Sequence, residues 1–303
     1  MAGGPAGGRW LVTGAAGMLG RDVLAVLEDA GIEAAGLGRA ELDITSPAAV
    51  RAAVEGAAVV VNCAAWTDVD GAETAEEAAT AVNGAGVRLL AGACAAAGAR
   101  LLHVSTDYVL PGDASQPYAE DAATGPVNAY GRSKLAGERA VAELLPRDGY
   151  VVRTAWLYGE HGPNFVATML GLAAQRDTLD VVDDQHGQPT WSYALARRLV
   201  ELGLAALAGR APGGIYHGTA SGRTTWFGLA RETYRLSGLD PERIRPTDSS
   251  AFARPAVRPV FSVLGHDRWS AAGLEPLAEW RVQLAEAITR EAFAGLGGVP
   301  PKG

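Results

Sequence analysis

Tyr130 and Lys134 stand four residues apart in Tyr130-Gly131-Arg132-Ser133-Lys134, which places them on one face if the segment is helical. Pro126 and Asn128 precede it, and Leu135, Ala136, Val141 and Leu145 give it an apolar side, so a helix is expected. A free phenol titrates near ~10, too high for an efficient proton donor at neutral pH. An adjacent ammonium favours the phenolate and draws that value toward the working range. The spacing alone also fits an ordinary solvated helix face. Upstream, the apolar run 100–104 ends in Ser105-Thr106-Asp107-Tyr108. A ketone oxygen between the Thr106 hydroxyl and the Tyr130 phenol would be polarised for hydride attack, with the phenol delivering the proton. That chemistry is carbonyl reduction by a nicotinamide. His103, in the same run, is expected to be a sheet histidine and not a catalyst.

The elements that would position these groups read as alternating strands and helices. Arg9-Trp10-Leu11-Val12-Thr13 is an apolar run ending in Gly14-Ala15-Ala16-Gly17-Met18-Leu19-Gly20. Leu19, Val23, Val26, Leu27 and Ala30 then share a helical face, closed by Gly31. In such a strand–glycine turn–helix, the backbone can approach a pyrophosphate and the helix N-terminus offers unpaired N–H groups. A second strand over 32–37 ends in Gly38-Arg39, where the usual fold of this kind carries an acid for the ribose. Arg39 suits a 2′-phosphate, which favours NADPH; a solvent-facing arginine is the plain alternative. Asp43 either caps the next loop or bonds the adenine, and Ser46-Pro47 opens a helix.

Val59-Val60-Val61 reads as a strand buried on both faces, running into Asn62-Cys63-Ala64-Ala65-Trp66-Thr67, small residues that leave room for a ligand. One long helix is expected over 74–97, closed by Gly98 and interrupted by Asn83, which is either exposed or faces the site. Further strands are expected at 150–153 and 214–217, with a helix over 194–207 between them. The expectation is an α/β fold, a Rossmann-like doubly wound parallel sheet with a smaller C-terminal substrate lobe. The sheet would take residues 1–158, with 191–218 returning to it; 159–190 and 219–303 would form the lobe. Trp191 and Arg258 are candidates for a nucleotide's base and diphosphate, with packing and a surface ion pair as their alternatives. Trp280, Leu284 and Ile288 recur every four residues on a core-facing C-terminal helix. The tail 296–303 is expected to be loose.

Composition excludes several classes. The 303 residues are 48% hydrophobic and 20% charged, with a net charge of −8, which argues against binding a nucleic-acid backbone. No run is long enough to span a bilayer, and residues 1–8 read as a leader without signal-peptide character. Cys63 and Cys94 are the two cysteines, expected as buried thiols in a reducing cytoplasm. No zinc-type spacing is present.

The chain resembles the extended short-chain dehydrogenase/reductase superfamily and, more narrowly, the dTDP-4-dehydrorhamnose reductase family. The resemblance runs through the 11–20 turn, 61–73, Ser105-Thr106-Asp107-Tyr108-Val109, 128–134, 153–159, Val182-Asp183-Asp184-Gln185-His186-Gly187-Gln188-Pro189-Thr190 and 258–264. It implies NADPH as cofactor, with NADH open, and a dTDP-linked 4-keto-6-deoxyhexose as substrate. Tyr130 would donate the proton, Lys134 would lower its pKa and hold the nicotinamide ribose, and Thr106 would tune the transfer. Gly14, Gly17, Met18, Leu19 and Gly20 would meet the pyrophosphate, Asp43 and Ile44 the adenine side, and Ala64, Ala65, Trp66 and Thr67 the middle of the cofactor. Thr106, Asp107 and Trp156 match sugar-contacting positions, with packing as the alternative for Trp156. Family members often have Tyr or His for Trp66, Phe for Leu110 and Asn for Phe261, so the identity of the 4-keto sugar stays open. Some members form a metal-linked dimer. Asp22 falls near one such ligand position and the others find no match, so no metal is expected, and a homodimer stays open. A dehydratase would need an acid where Tyr108 stands. A ketoreductase for another deoxysugar and a non-catalytic NADP-binding regulatory subunit are the remaining alternatives.

Overall fold

The structure is a computed structural model and describes residues 8–294; the leader 1–7 and the tail 296–303 lie outside the described residues. The chain opens with β1 (Arg9–Thr13), α1 (Met18–Asp29), β2 (Ala34–Leu37), α2 (Pro47–Val54) and β3 (Ala57–Asn62). Three short helical stretches follow, α3 (Val69–Ala72), α4 (Glu76–Thr80) and α5 (Val87–Ala97), then β4 (Arg100–Thr106), α6 (Ala129–Leu144) and β5 (Gly149–Thr154). The strand Gly214–His217 completes a six-stranded sheet, in the order 214–217, β5, β4, β3, β1, β2. Every neighbouring pair is parallel. All carboxyl ends therefore meet at one edge, where ligands of open α/β sheets bind.

Val59, Val60 and Val61 are fully buried because helices cover both faces of the sheet. On one face Trp10, Val12 and Leu102 pack under α1 and α8 (Ser192–Leu207). On the other, Leu11, Val60, Leu101 and Val151 pack under α2, α5 and α6. Ser46 caps α2 with Pro47 at its first position, as the Ser-Pro pair implies. His103 is buried beside Asn62, its Nδ1 2.9 Å from the amide; burial lowers its pKa well below the ordinary value, as suits a sheet histidine.

Two expectations need correction. The second strand begins at Ala34, not at 32. The long helix 74–97 is two helices joined by a π-helical stretch at Ala81–Gly86; the extra residue per turn brings Asn83 inward, a displacement that local periodicity does not reveal.

The remaining elements gather around two smaller apolar clusters. One holds Tyr158, Val166, Trp191, Trp280 and Leu284, and the other Met169, Val181, Tyr234 and Ile244. They include α7 (Phe165–Ala173), α9 (Trp226–Leu236) and the helix Trp280–Ile288, on which Trp280 and Leu284 are buried and Ile288 partly so. Among the described residues no helix is long and apolar enough to cross a membrane.

Candidate active site

The glycine turn leaves β1 and enters α1 with no side chain capping the helix at Gly17. The first N–H groups of α1 thus have no protein acceptor from the cap, the arrangement that takes a phosphate. Gly14 has φ +66°, and a Cβ there would lie 2.6 Å from the backbone N of Ala64. At Gly20 a Cβ would lie 2.4 Å from the Gly14 carbonyl. Only glycines let this turn close tightly enough for a pyrophosphate to sit against backbone. Residues 14–20 therefore fit a dinucleotide. Arg39 is exposed after β2, and the nearby acid, Glu41, is taken by the Gly38 N–H at 2.9 Å. Asp43 accepts from the Thr45 N–H and hydroxyl at 2.9 and 2.7 Å, which holds its carboxyl below the usual range; it caps its own loop. Ile44 buries its side chain under Gly86, so only its backbone is left for a ligand.

The loop 63–67 is clamped from α6 through the π-helical stretch. Asn83 accepts from the Trp66 N–H at 2.9 Å and donates to the Trp66 carbonyl at 3.0 Å and to Ser133 Oγ at 2.9 Å. Asn128 caps α6 through the Gly131 N–H at 2.8 Å. A Cβ on Gly131 would meet the Tyr108 carbonyl, so α6 lies directly on the turn that carries Thr106 and Asp107. Tyr108 and Tyr130 meet edge to face, with ring centroids 5.9 Å apart.

Thr106, Asp107, Tyr130 and Lys134 thus come together at the carboxyl edge. Thr106 Oγ1 lies 3.0 Å from Asp107 Oδ1, and the Thr106 hydroxyl acts on the Tyr130 phenol beside it. Lys134 is 2% exposed and donates to the Val104 carbonyl at 2.7 Å; burial lowers its pKa to about 8, opposed by Glu138 and Cys63. The expectation that Lys134 draws the Tyr130 phenol down is not met in the chain alone. Burial and the neighbouring Asp107 carboxylate push the phenol above its ordinary value, with only the Thr106 hydroxyl opposing. Tyr130 therefore holds its proton at neutral pH. Asp107 is pushed up to about 6 by burial, against the Ser262 and Thr106 hydroxyls and backbone N–H groups.

Trp156 follows β5 with φ 48°, the one non-glycine residue with positive φ among the described residues, a strain that needs support from its surroundings. Its indole stacks on Trp226 at 3.6 Å and 11°, and a Cβ on Gly187 would strike it. That glycine belongs to the Asp-Gln-x-Gly run, and Gln185 Oε1 accepts from the Trp226 indole Nε1–H at 3.2 Å. Trp226 was not marked by the sequence; Asn83 was, as a polar interruption either exposed or facing the site, and it faces loop 63–67 and α6. Trp191 requires correction: it is 2% exposed inside the smaller apolar cluster, so it packs and presents no face to a base. Arg258 makes a two-pronged ion pair with Asp70, both bonds 3.0 Å. Asp22 is buried and accepts from Ser192.

The family model described as RmlD substrate binding domain matches residues 8–293. The chain is 61% identical over 297 residues to dTDP-4-dehydrorhamnose reductase of Streptomyces griseus, covering 97% of each. It is 52% identical to dTDP-4-keto-6-deoxy-D-glucose reductase of Streptomyces niveus, over 92% of this chain and 96% of that protein. Among solved structures, dTDP-4-dehydrorhamnose reductase of Bacillus anthracis in complex with NADP superposes with a TM-score of 0.88 at 33% identity, over 93% of this chain and 99% of that one.

Proposed function

Since the chain belongs to the dTDP-4-dehydrorhamnose reductase family and is a sugar-nucleotide ketoreductase, we propose that it reduces the C4 ketone of dTDP-4-dehydrorhamnose to dTDP-L-rhamnose, with NADPH as reductant. The observation that carries this reading is the meeting of Thr106, Tyr130 and Lys134 where the parallel strands end. In this reading residues 8–158 and 191–218 hold the cofactor, and 159–190 with 219–294 close over the sugar nucleotide.

Bound NADPH supplies a hydride. The 14–20 turn and the first N–H groups of α1 hold its pyrophosphate, Arg39 its 2′-phosphate, and loop 64–67 flanks its centre. Tyr130 donates its retained proton to the oxygen of the reduced ketone. Lys134, largely protonated below its value of about 8, lowers the energy of the resulting phenolate. The stacked Trp156 lies against the sugar, its indole covering an apolar ring face, while Asp107, 3% exposed, acts on the sugar only through Thr106.

A panel of dTDP-4-keto-6-deoxy sugars with NADPH and with NADH, followed by nicotinamide absorbance, tests the assignment. Turnover with dTDP-4-dehydrorhamnose and a preference for NADPH are expected. Tyr130→Phe should lower kcat by roughly 10²–10⁴ with little change in NADPH affinity; unchanged turnover removes Tyr130 from the role. A second reading, a ketoreductase for another dTDP-deoxysugar, is favoured by the relative that reduces a 4-keto-6-deoxyglucose, and the same panel separates the two.

A further inference from the structure

Thr106 has one hydroxyl proton and more than one partner for it. Its Oγ1 lies 3.0 Å from Asp107 Oδ1 and accepts from the Tyr108 N–H at 3.2 Å, and the hydroxyl acts on the Tyr130 phenol beside it. An ionised carboxylate can only accept, so ionised Asp107 commits the Thr106 proton to Oδ1. Thr106 then meets Tyr130 as an acceptor, and the phenol points its proton into Thr106 and away from a ketone. A neutral Asp107 reverses the chain: the acid donates to Thr106 Oγ1, the threonine proton turns outward, and the phenolic proton is released.

We propose that Asp107 is a positioning residue for the proton transfer, its neutral form turning the Thr106 and Tyr130 hydroxyls toward the ketone and its ionised form turning them away. The proposal rests on the ketoreductase reading above. Hydride and phenolic proton both go to the ketone, giving the alcohol, and the phenolate regains a proton from water between turnovers. Asp107 is not consumed.

The surroundings make ionisation costly and bring the neutral acid within the working pH range. Asp107 is 3% exposed, and its Oδ2 has no hydrogen-bond partner among the described residues. Tyr108 faces it from its own turn and Tyr130 from α6, both uncharged at neutral pH. Ser262 approaches from the segment 258–264. Arg258 acts on Tyr108 beyond and is paired with Asp70, while the Lys134 amine turns to the Val104 carbonyl. No cation is paired with the carboxylate among the described residues, and burial lifts its pKa to about 6.

The test compares kcat from pH 5.5 to 8.5 for the wild type and Asp107→Asn, using NADPH and the 4-keto sugar nucleotide. An asparagine amide can donate to Thr106 at every pH, as the neutral acid does. Wild-type kcat should fall by roughly tenfold or more between pH 6 and pH 7.5 as Asp107 ionises, whereas the Asn variant should show only the later loss toward pH 8.5 that Lys134 brings. In parallel, infrared difference spectra of the free chain should show a carboxylic-acid C=O band lost by pH 8 and absent from Asp107→Asn. Equal profiles overturn the proposal, as does a higher KM with an unaltered kcat profile, the mark of a sugar contact alone. So does an Asn variant that binds NADPH but is inactive throughout, or a missing infrared band. A wild type inactive on every ketone marks failure of the ketoreductase reading instead, and the infrared arm still decides the state of the carboxyl.

Discussion

Glu138 lies one helical turn beyond Lys134 and is 4% exposed, beside Arg153 at 1%. Arg153 grips it through two bonds of 2.9 and 2.8 Å, and Ser105 donates to it at 2.6 Å. A buried ion pair gains little over an apolar pair, but removing one partner strands the other charge in the core. Glu138→Gln is therefore expected to destabilise the fold by about 3–5 kcal/mol, read by urea unfolding; a loss below about 1 kcal/mol would mean that Arg153 finds other partners. The same change removes the main charge that holds the Lys134 pKa up against burial. Lys134 should then titrate below its value of about 8, so the amine turns neutral earlier as pH rises and the alkaline limb of activity moves to lower pH. The sequence reading singles out Lys134 but not Glu138 one turn further on. The partner that fixes Glu138, Arg153, comes from β5 and depends on strand order, which local sequence does not carry.

At the scale of elements, the π-helical stretch Ala81–Gly86 decides how loop 63–67 meets α6. Asn83 satisfies both backbone groups of Trp66 and the Ser133 hydroxyl at once. Asn83→Ala leaves these groups with lost bonds, which costs about 1–3 kcal/mol and frees the loop expected to flank the cofactor. Its NADPH affinity, measured by fluorescence titration, should fall several-fold more than that of Asn83→Asp, which retains an acceptor for the Trp66 N–H; equal losses would contradict the clamp. Parallel strands and amphipathic helices were legible because burial on both sheet faces and 3.6-residue periodicity write directly into local sequence. The glycine turn was legible for a similar reason, since close backbone approach admits little else. The π-helical insertion, the burial of Trp191 and the stacking of Trp226 on Trp156 were not. Each is set by partners tens of residues away, and a lone indole carries no mark of whether it will be covered.

Across the whole molecule, the segment 256–264 ties the smaller set of elements to the carboxyl edge of the sheet. Asn128 donates to the Val257 carbonyl at 2.9 Å, the Phe261 N–H to Gly112, also at 2.9 Å, and Gln188 bonds both backbone groups of Leu264 at 3.1 and 2.8 Å. Ser262, in the same segment, stands at Asp107. Arg258 anchors the near end on Asp70, and both side chains are partly exposed, so the pair itself contributes no more than about 1 kcal/mol. Loosening it should therefore leave the melting temperature nearly unchanged while raising KM for the sugar nucleotide, because the segment frames the pocket. Two roles for Arg258 separate here by a double-mutant comparison. If the guanidinium acts only through Asp70, then Asp70→Asn, Arg258→Leu and the double variant share one elevated KM. If it also meets the diphosphate, Arg258→Leu raises KM by a further factor of roughly ten, the scale of one charge-assisted bond, and adding Asp70→Asn to it changes nothing more. The second pattern is expected, since Asp70 holds the guanidinium in place while leaving part of it exposed to solvent. Equal KM values in the three variants would reduce Arg258 to a strut.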